Sequence, residues 1–312
     1  MSMLEGLPMA ADTLRRRWRG QPGRLEVWYL TATDPVTGTG LWTHAEMVSP
    51  TDSEPYLHGW VAVFPPGGEP IHRRFGPAAA EGAGAEAALS GAVDGASWDL
   101  HLSSREPPLY TFGRRVWERQ LLPAAQIVPV PSGRVSGEVT IGSERLRLDG
   151  APGALAHIYG HGNASRWCWL HADLGDGEVL ELVSAVARRR GLNRLPPATL
   201  VQLRHGGRDW PATPLIAAAA FRASIGLPEW RVTGRVGGRR LEVTVRQPPE
   251  RSLRLRYVDP DGARATCTNS ETADADIVLY RRSGRTWEIE KQWSLSGTAH
   301  AEVGDRLGYE GG

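Results

Sequence analysis

The sequence lacks the features of a cross-linked or strongly charged protein. Its 312 residues include two cysteines, Cys168 and Cys267, which are too few for a disulfide framework. The 36 Lys and Arg residues balance 35 Asp and Glu residues and leave a formal charge of +1. Since no basic field is present to attract phosphate backbones, we expect no nucleic-acid partner.

Long apolar runs are also missing. The longest candidate, residues 215–221, is far shorter than the roughly 18 residues of a membrane-spanning helix. The first 20 residues have no apolar segment typical of an export signal. We therefore expect no membrane span and a cytoplasmic location, while the pattern leaves the oligomeric state open.

Motifs for nucleotides, dinucleotides and serine hydrolysis are absent, because the sequence contains no GxGxxG, GxxxxGK[ST] or GxSxG. His157, His161 and His171 have the right chemistry for a metal, but the first two would lie about 13 Å apart along an extended strand. The expectation is a protein with no cofactor and no metal.

Lysine is nearly absent, and Lys291 is the single example. In the run TWEIEKQW it falls in phase with Trp287, Ile289 and Trp293, which predicts an inward-pointing side chain. Such a lysine can act as a base or a Schiff-base nucleophile, or it can guard a strand against edge-to-edge pairing. The second interpretation is favoured.

Alternation of apolar and polar residues is the dominant pattern of the chain. Leu241, Val243 and Val245 alternate with polar residues, and about sixteen such short runs end at Gly, Pro or Asp-Gly. This pattern predicts an all-β protein of one or two antiparallel barrels or sandwiches with few short helices.

The domain organisation follows from the segments without alternation. Residues 1–24 are polar and Arg-rich, which predicts a flexible N-terminal arm. A short helix is expected over 211–226, joining an N-terminal β domain at 25–212 to a C-terminal β domain at 213–312. The Ala- and Gly-rich residues 77–93 are either a loose helix or a mobile surface excursion, and the excursion is favoured.

Several strands carry aromatic and titratable residues on the same face. In RWCWLHADL, one face holds Trp167, Trp169, His171 and Asp173, while the other is an ordinary apolar face. Three further runs repeat this mixture, with these residues: Trp42, His44 and Glu46; His58, Trp60 and Phe64; His157, Tyr159 and His161. One interpretation is that each face caps the outside of a sheet. The favoured one is a shared pocket for a large, mostly apolar ligand with a few polar handles.

A family resemblance extends over nearly the whole chain from about residue 25. The segments EVWYLTAT and LWTHAEM, GALAHIYGHGNASRWCWLHADL, and RYVDPDGARATCTNSETADADIVL with GTAHAEVG resemble the lipocalin-like superfamily of carotenoid 1,2-hydratases, AttH-like and tocopherol-cyclase-like proteins. Fungal natural-product Diels-Alderases are similar in architecture. The resemblance implies two consecutive lipocalin-like β-barrel domains.

The resemblance also implies a chemistry in which a carboxylic acid protonates an isolated double bond and aromatics flank the cation. The candidate catalytic residues are His171 with Asp173, and His44 with Glu46. The candidate substrate-binding residues are Trp28, Trp42, Trp60, His157, Tyr159, His161, Trp167 and Trp169.

Three functions fit this pattern. The leading hypothesis is a cofactor-independent cyclase or isomerase, pericyclase- or hydratase-like, acting on a hydrophobic polyunsaturated or polycyclic secondary metabolite. The alternatives are a cofactorless oxygenase in the same pocket and a non-catalytic carrier of a lipophilic molecule.

Overall fold

The computed structural model describes residues 10–188, 191 and 194–306. Unit 1 extends to Gly162 and includes Val258–Ala263, and unit 2 comprises Asn163–Tyr257 and the chain from Arg264. Both units consist mainly of antiparallel strands, and the longest helix in these ranges has six residues. The predicted all-β fold of two antiparallel domains with few short helices is confirmed. No helix within the described ranges is long and apolar enough to cross a membrane.

Unit 1 is built on one eight-stranded sheet in the order β4-β3-β2-β1-β8-β7-β6-β5. Its strands are β1 Arg24–Thr33, β2 Gly40–Ser49, β3 Tyr56–Phe64, β4 Ile71–Ala79, β5 Ser90–Val93, β6 Ala96–Ser103, β7 Ala124–Ile141 and β8 Glu144–Gly160. Its helices are α1 Ala11–Leu14, α2 Ala85–Leu89 and α3 Arg114–Arg119. The edge strands β4 and β5 contact each other, which brings the sheet close to a closed barrel.

The core of unit 1 shows that the Ala-rich segment is structural. Ala80, Ala85, Ala88 and Leu89 are buried in the main apolar cluster, and α2 packs against β1, β2 and β6. Thr43 Oγ1 on β2 donates a hydrogen bond of 2.6 Å to the carbonyl of Ala88. The expectation of a mobile excursion over 77–93 was wrong, because small side chains let this helix pack closely on the strands.

The N-terminal segment is also packed rather than free over its described part. Ala10 and Leu14 join the core of unit 1, and the Trp28 indole donates to the Leu14 carbonyl at 3.2 Å. The backbone N–H groups of Arg17 and Trp18 donate to Glu26 on β1. The expected flexible arm over 1–24 is therefore contradicted for residues 10–24, and residues 1–9 lie outside the described residues.

Unit 2 is built on a ten-stranded sheet in the order β12-β11-β10-β9-β18-β17-β15-β14-β13, with β16 paired to β17. Its strands are β9 Arg166–Gly175, β10 Glu178–Val186, β11 Ala198–His205, β12 Arg208–Trp210, β13 Phe221–Ser224, β14 Glu229–Val236, β15 Arg239–Arg246, β16 Leu253–Val258, β17 Arg264–Ser283 and β18 Thr286–Arg306. Its helix is α4 Pro214–Ala217.

The division between the units lies after Gly162, whereas the sequence analysis put it at 212/213. The reason is strand pairing, because β9 joins β10 to the C-terminal strand β18 in one sheet. The helix expected over 211–226 is shorter, since α4 and one 3₁₀ turn end at Ala220 and β13 begins at Phe221. The segment lies within unit 2 and does not join the two units.

The pairing of β18 with β17 defines the face of the sheet on which Lys291 lies. The pairing with β17 is irregular between Leu279 and Tyr280, so Leu279 lies opposite Lys291 while Tyr280 lies opposite Ile289. Lys291 is exposed, with its Nζ 6.0 Å from the centre of the Trp293 ring. Lys291 therefore shares a face of the sheet with the buried Leu279 and Trp293, as alternation predicts, but its side chain is exposed and not desolvated; the register shift instead puts Ile289 in the other phase.

Candidate functional site

Unit 1 presents a buried polar face on strands β2 and β3. The register places His44 opposite Trp60 and Glu46 opposite His58, so these four side chains and Trp42 share one face. His44 Nε2 lies 3.1 Å from Glu46 Oε2, and His58 Nε2 lies 3.4 Å from Glu46 Oε1. Ring centres of Trp42 and Trp60 lie 4.9 and 5.5 Å from that of His44. We call this group the Glu46 cluster.

The two histidines determine the charge of Glu46. Burial acts to raise its pKa, but hydrogen bonds and charge from His44 and His58 outweigh burial and lower the pKa to about 2. Glu46 is therefore a carboxylate across the ordinary pH range, which makes it a hydrogen-bond acceptor and a negative charge for the two histidines rather than an acid.

His157 and Tyr159 lie on the opposite face of the same sheet. Trp28 on β1 pairs with His157 and with Ala45, whereas its neighbour Tyr29 pairs with His44. Trp28 stacks on His157 with ring centres 4.7 Å apart, and His157 Nε2 lies 2.8 Å from Glu26 Oε1. The structure therefore does not bring Trp28, His157 and Tyr159 together with Trp42, His44, Glu46 and Trp60, as the shared-pocket hypothesis required.

Unit 2 has its own buried polar face on β9, β10 and β18. His171 is flanked in the sheet by Glu181 and His300. Glu181 accepts hydrogen bonds from the Trp169 indole at 2.6 Å and pairs with His171 Nδ1 at 2.9 Å. Glu271 follows a register shift on β17 after Ser270. Its Oε2 atom lies 2.6 Å from His300 Nδ1. We call these five residues the Glu271 cluster.

Burial gives Glu271 and His300 unusual protonation. It raises the pKa of Glu271 well above its usual range, and the nearby Asn269 and His171 do not offset it. Burial, with the positive charge of His171, lowers the pKa of His300 to about 3 against the opposing effect of Asp173 and Glu181. The pair is thus a protonated carboxylic acid beside a neutral imidazole.

The other predicted residues of β9 have different neighbours. Asp173 is half-buried and accepts the backbone N–H of Gly175 at 2.9 Å, so the acid partner of His171 is Glu181. Trp167 donates to Glu302 at 2.8 Å, and its ring covers Gly304, where an added Cβ would overlap the indole. Glycine at 304 is therefore required by the position of Trp167.

Two pockets lie away from these clusters. A pocket of about 130 Å³ in unit 1 is lined by residues that include Arg24, Trp117, Tyr159 and His161. A wider one of about 610 Å³ in unit 2 is lined by residues that include Trp210 and Arg239. Of the predicted site residues, Tyr159 and His161 line the first pocket, and none lines the second.

A family model that matches most of the chain shows which family it belongs to. The family model described as tocopherol cyclase-like matches residues 82–305. The chain belongs to the tocopherol cyclase-like family. This match confirms the resemblance seen in the sequence, and it covers the whole Glu271 cluster but not the Glu46 cluster.

Relatives of this tocopherol cyclase-like chain include two from Mycobacterium tuberculosis. They are "Uncharacterized protein MT0513" of strain CDC 1551 / Oshkosh and "Uncharacterized protein Rv0493c" of strain ATCC 25618 / H37Rv. Each is 49% identical over 302 residues, covering 93% of this chain and 89% of the relative.

Two solved structures share its fold. The crystal structure of CghA with Sch210972 matches with a TM-score of 0.59 and 13% identity, covering 91% of this chain and 88% of CghA. Kievitone hydratase from Nectria haematococca matches with a TM-score of 0.53 and 9% identity, covering 90% and 89%. At these identities the similarity is one of fold.

Sequence reasoning missed four buried polar residues: Glu26, which pairs with His157, and Glu181, Glu271 and His300 of the Glu271 cluster. A signal was present for two of them. Glu26 and Glu181 are single carboxylates within the apolar runs LEVWYL and VLELV, and a buried carboxylate in such a run requires a partner. Glu271 and His300 had no comparable signal.

Proposed function

We propose that this protein is a cofactor-independent cyclase or isomerase, hydratase-like in chemistry, that acts on a hydrophobic polyunsaturated metabolite. The observation that carries the proposal is the buried, protonated Glu271 beside the neutral His300. A raised pKa keeps the Glu271 carboxyl group protonated at neutral pH, so that it has a proton to donate to a double bond.

Glu271 supplies the proton in the first step. An alkene π pair of the substrate takes the proton from the Glu271 carboxyl group, and a carbocation and a carboxylate form together. In cyclisation a second alkene or a hydroxyl oxygen of the substrate attacks the cation, and in hydration water attacks it. The nucleophile or an adjacent carbon then loses a proton, which returns to Glu271.

In this proposal the indoles of Trp169 and Trp167, which share a face of β9 with His171, flank the cation. A cation over an indole face gains about 0.5–2 kcal/mol. Glu181 holds the Trp169 indole and His171 from the neighbouring strand, and Glu302 holds the Trp167 indole. These two carboxylates are positioning residues, because each fixes the plane of a ring through its N–H.

The comparisons support this class of reaction. The family is described as tocopherol cyclase-like, and one relative with the same fold is named a hydratase. Another relative was crystallised with the small molecule Sch210972.

Turnover of prenylated probes tests the proposal. Wild-type protein, Glu271→Gln and the exposed control Glu250→Gln are each incubated with geranylhydroquinone and with geranylgeraniol, and products are separated by liquid chromatography with mass detection. We expect a cyclised product of unchanged mass or a product that has gained water. The rate should fall by about 10²-fold or more in Glu271→Gln and stay unchanged in the control.

Other results would favour the alternatives. Recovery of a bound but unaltered probe would identify a carrier, and oxygen uptake during turnover would identify a cofactorless oxygenase. Equal turnover by Glu271→Gln and wild type would remove Glu271 from the reaction.

A further inference from the structure

Two hairpin turns of unit 2 lie side by side at one end of its sheet. Strands β14 and β15 turn at Gly237 and Gly238, and strands β17 and β18 turn between Ser283 and Thr286. Since β15 pairs with β17, the turns are neighbours, and the backbone N–H of Arg282 donates to the Gly238 carbonyl at 2.7 Å. This places the basic residues of both hairpins together: Arg235, Arg239, Arg240, Arg281, Arg282 and Arg285.

This end of the sheet has more positive than negative charge. Segments 235–240 and 278–289 contain six arginines and one acidic residue, although the whole chain has a formal charge of +1. Carboxylates pair with three of the arginines: Arg239 with Glu290, Arg240 with Glu242, and Arg281 with Glu288. Half of the arginines therefore remain to be accounted for.

The other three arginines carry positive charge that no carboxylate balances. Arg235, Arg282 and Arg285 are exposed, and none of them forms an ion pair within the described part of the chain. Arg282 donates through Nε to the Gly284 carbonyl at 3.1 Å, and its terminal nitrogens are not used in that bond. These guanidinium groups are therefore available to an anion.

Apolar and aromatic side chains lie beside these arginines on the outer face of the sheet. Leu279 on β17 is buried in the apolar core, so its neighbour Tyr280 lies on the opposite, outer face. Tyr280 lies opposite Ile289, which is 60% exposed, and Arg282 lies opposite Trp287. A large aliphatic side chain is thus left in water next to two half-buried rings.

Arg240 connects the two rings on this face. Its guanidinium carbon lies 4.1 Å from the centre of the Tyr280 ring and 5.6 Å from that of the Trp287 ring. Such contacts hold the aromatic side chains in place beside the charged ones. We call the following residues the outer arginine face: Arg240, Tyr280, Arg282, Trp287 and Ile289, with Arg285 in the adjoining turn.

An anionic membrane surface fits this combination of side chains. Guanidinium groups bind the phosphate oxygens of lipid head groups, and an anionic surface attracts each basic residue near it. Tryptophan and tyrosine rings are enriched at the level of the head groups, where an aliphatic side chain can leave water for the acyl boundary. A nucleic acid would also pair with the arginines, but it would leave Ile289 in water. The exposed isoleucine beside the arginines therefore favours the lipid surface.

We propose that the outer arginine face docks on a membrane that contains anionic phospholipid, with Arg282 and Arg285 on head-group phosphates and Ile289 at the acyl boundary. The contact lies at the surface of the bilayer and needs no membrane-spanning segment. It is tested without a substrate, so its outcome is separate from that of the reaction assigned to the Glu271 cluster.

Sedimentation of the full chain with lipid vesicles tests the docking. One set of vesicles is phosphatidylcholine alone, and the other contains about 30% phosphatidylglycerol, so that only the second has an anionic surface. We expect the chain to bind the second set at least about tenfold more tightly than the first. Equal binding to both sets, or binding to neither, would overturn the proposal.

Two double variants locate the contact. Arg282→Gln combined with Arg285→Gln should weaken binding to the anionic vesicles about 25-fold, since each arginine near such a surface contributes about fivefold. The matched control, Arg254→Gln with Arg256→Gln, removes two exposed arginines from β16, which leads into the start of β17, far from the turn at its end. The control should change the affinity by less than about twofold, because salt screens distant charges. Equal losses in both double variants would show that only the net charge matters and would refute the assignment to this face.

Ile289→Ser tests the apolar part of the contact without changing the charge. Because this side chain is exposed, the midpoint of urea unfolding should match that of the wild type. The affinity for the anionic vesicles should fall about threefold or more. A duplex DNA is titrated in parallel with the vesicles. Unchanged vesicle binding by Ile289→Ser, or binding of the DNA as tight as that of the vesicles, would identify a general phosphate-binding face and would overturn the membrane assignment.

Discussion

His300 Nδ1 lies 2.6 Å from Glu271 Oε2, and both side chains are buried. The pKa of Glu271 is raised and that of His300 is lowered to about 3, so the two groups face each other uncharged. Burying a neutral acid and a neutral imidazole costs less than burying the corresponding ion pair. Glu271 therefore carries a proton inside unit 2, and neither Glu271 nor His300 is a buried charge.

His300 should make the folded protein sensitive to acid. Its folded pKa of about 3 lies below the ordinary value of 6.5, so the unfolded chain binds the extra proton between these two values. The contribution of His300 to the free energy of unfolding is fully present above pH 6.5. It is lost as the pH drops to about 3, by up to about 1.4 kcal/mol per pH unit. Urea unfolding across this range should show a flatter profile for His300→Gln than for the wild type.

Glu271 should have the opposite dependence on pH. Its folded pKa lies above the ordinary 4.5, so the folded chain binds the extra proton, and stability falls as the pH rises from 4.5 toward the raised pKa. Glu271→Gln is neutral at every pH and should lack this loss, which makes it more stable relative to the wild type at neutral pH than at acid pH. Urea titrations of the wild type, Glu271→Gln and the control Glu250→Gln are run in parallel across this pH range. If the difference in free energy of unfolding between the wild type and Glu271→Gln were the same at every pH, the result would contradict a protonated Glu271 in the folded protein.

Glu46 should stabilise unit 1 as a carboxylate. Its pKa is lowered to about 2, so its contribution is complete above pH 4.5 and is lost as the pH falls from 4.5 to about 2. At neutral pH, Glu46→Gln should lower the free energy of unfolding by about 1.5–3 kcal/mol, because two histidines lose a charged partner. The exposed Glu54→Gln should change it by less than about 0.5 kcal/mol, and equal effects of the two substitutions would argue against the Glu46 cluster.

Glu26 should hold the N-terminal segment on the barrel of unit 1. It accepts the backbone N–H of Arg17 at 2.6 Å and that of Trp18 at 2.8 Å, and it is fully buried. In Glu26→Gln the amide N–H₂ faces at least one of these donors, so the segment should detach more often. Trypsin should then cleave between Arg15 and Arg19 several-fold faster than in the wild type or in the exposed control Glu144→Gln, as measured by mass spectrometry of the released peptide.

The period of two in the sequence was enough to predict the fold and part of the clusters. His44 and Glu46 stand two residues apart on one strand, so their common face follows from alternation alone, and they do pair. The same logic cannot relate one strand to another. His157 repeats the aromatic pattern of His44, but the register of β1 with β8 puts it on the other face of the sheet.

The partners in unit 2 were beyond sequence reasoning for a similar reason. Glu181 and His300 face His171 only because β10 and β18 pair on either side of β9, and His300 lies more than 100 residues away. Glu271 follows a shift of register, where alternation no longer tells which face a side chain occupies. Burial then sets the two pKa values, and burial is a property of the assembled sheet.

The most direct measurement is the fate of the proton that Glu271 donates. Turnover of geranylhydroquinone in deuterium oxide should place one deuterium on a carbon of the product, because the Glu271 carboxyl group exchanges with solvent before it protonates the alkene. The account predicts this label in the wild type and in Glu250→Gln, and loss of labelled product in Glu271→Gln. A cyclised product without deuterium on carbon, or labelling that persists unchanged in Glu271→Gln, would contradict it.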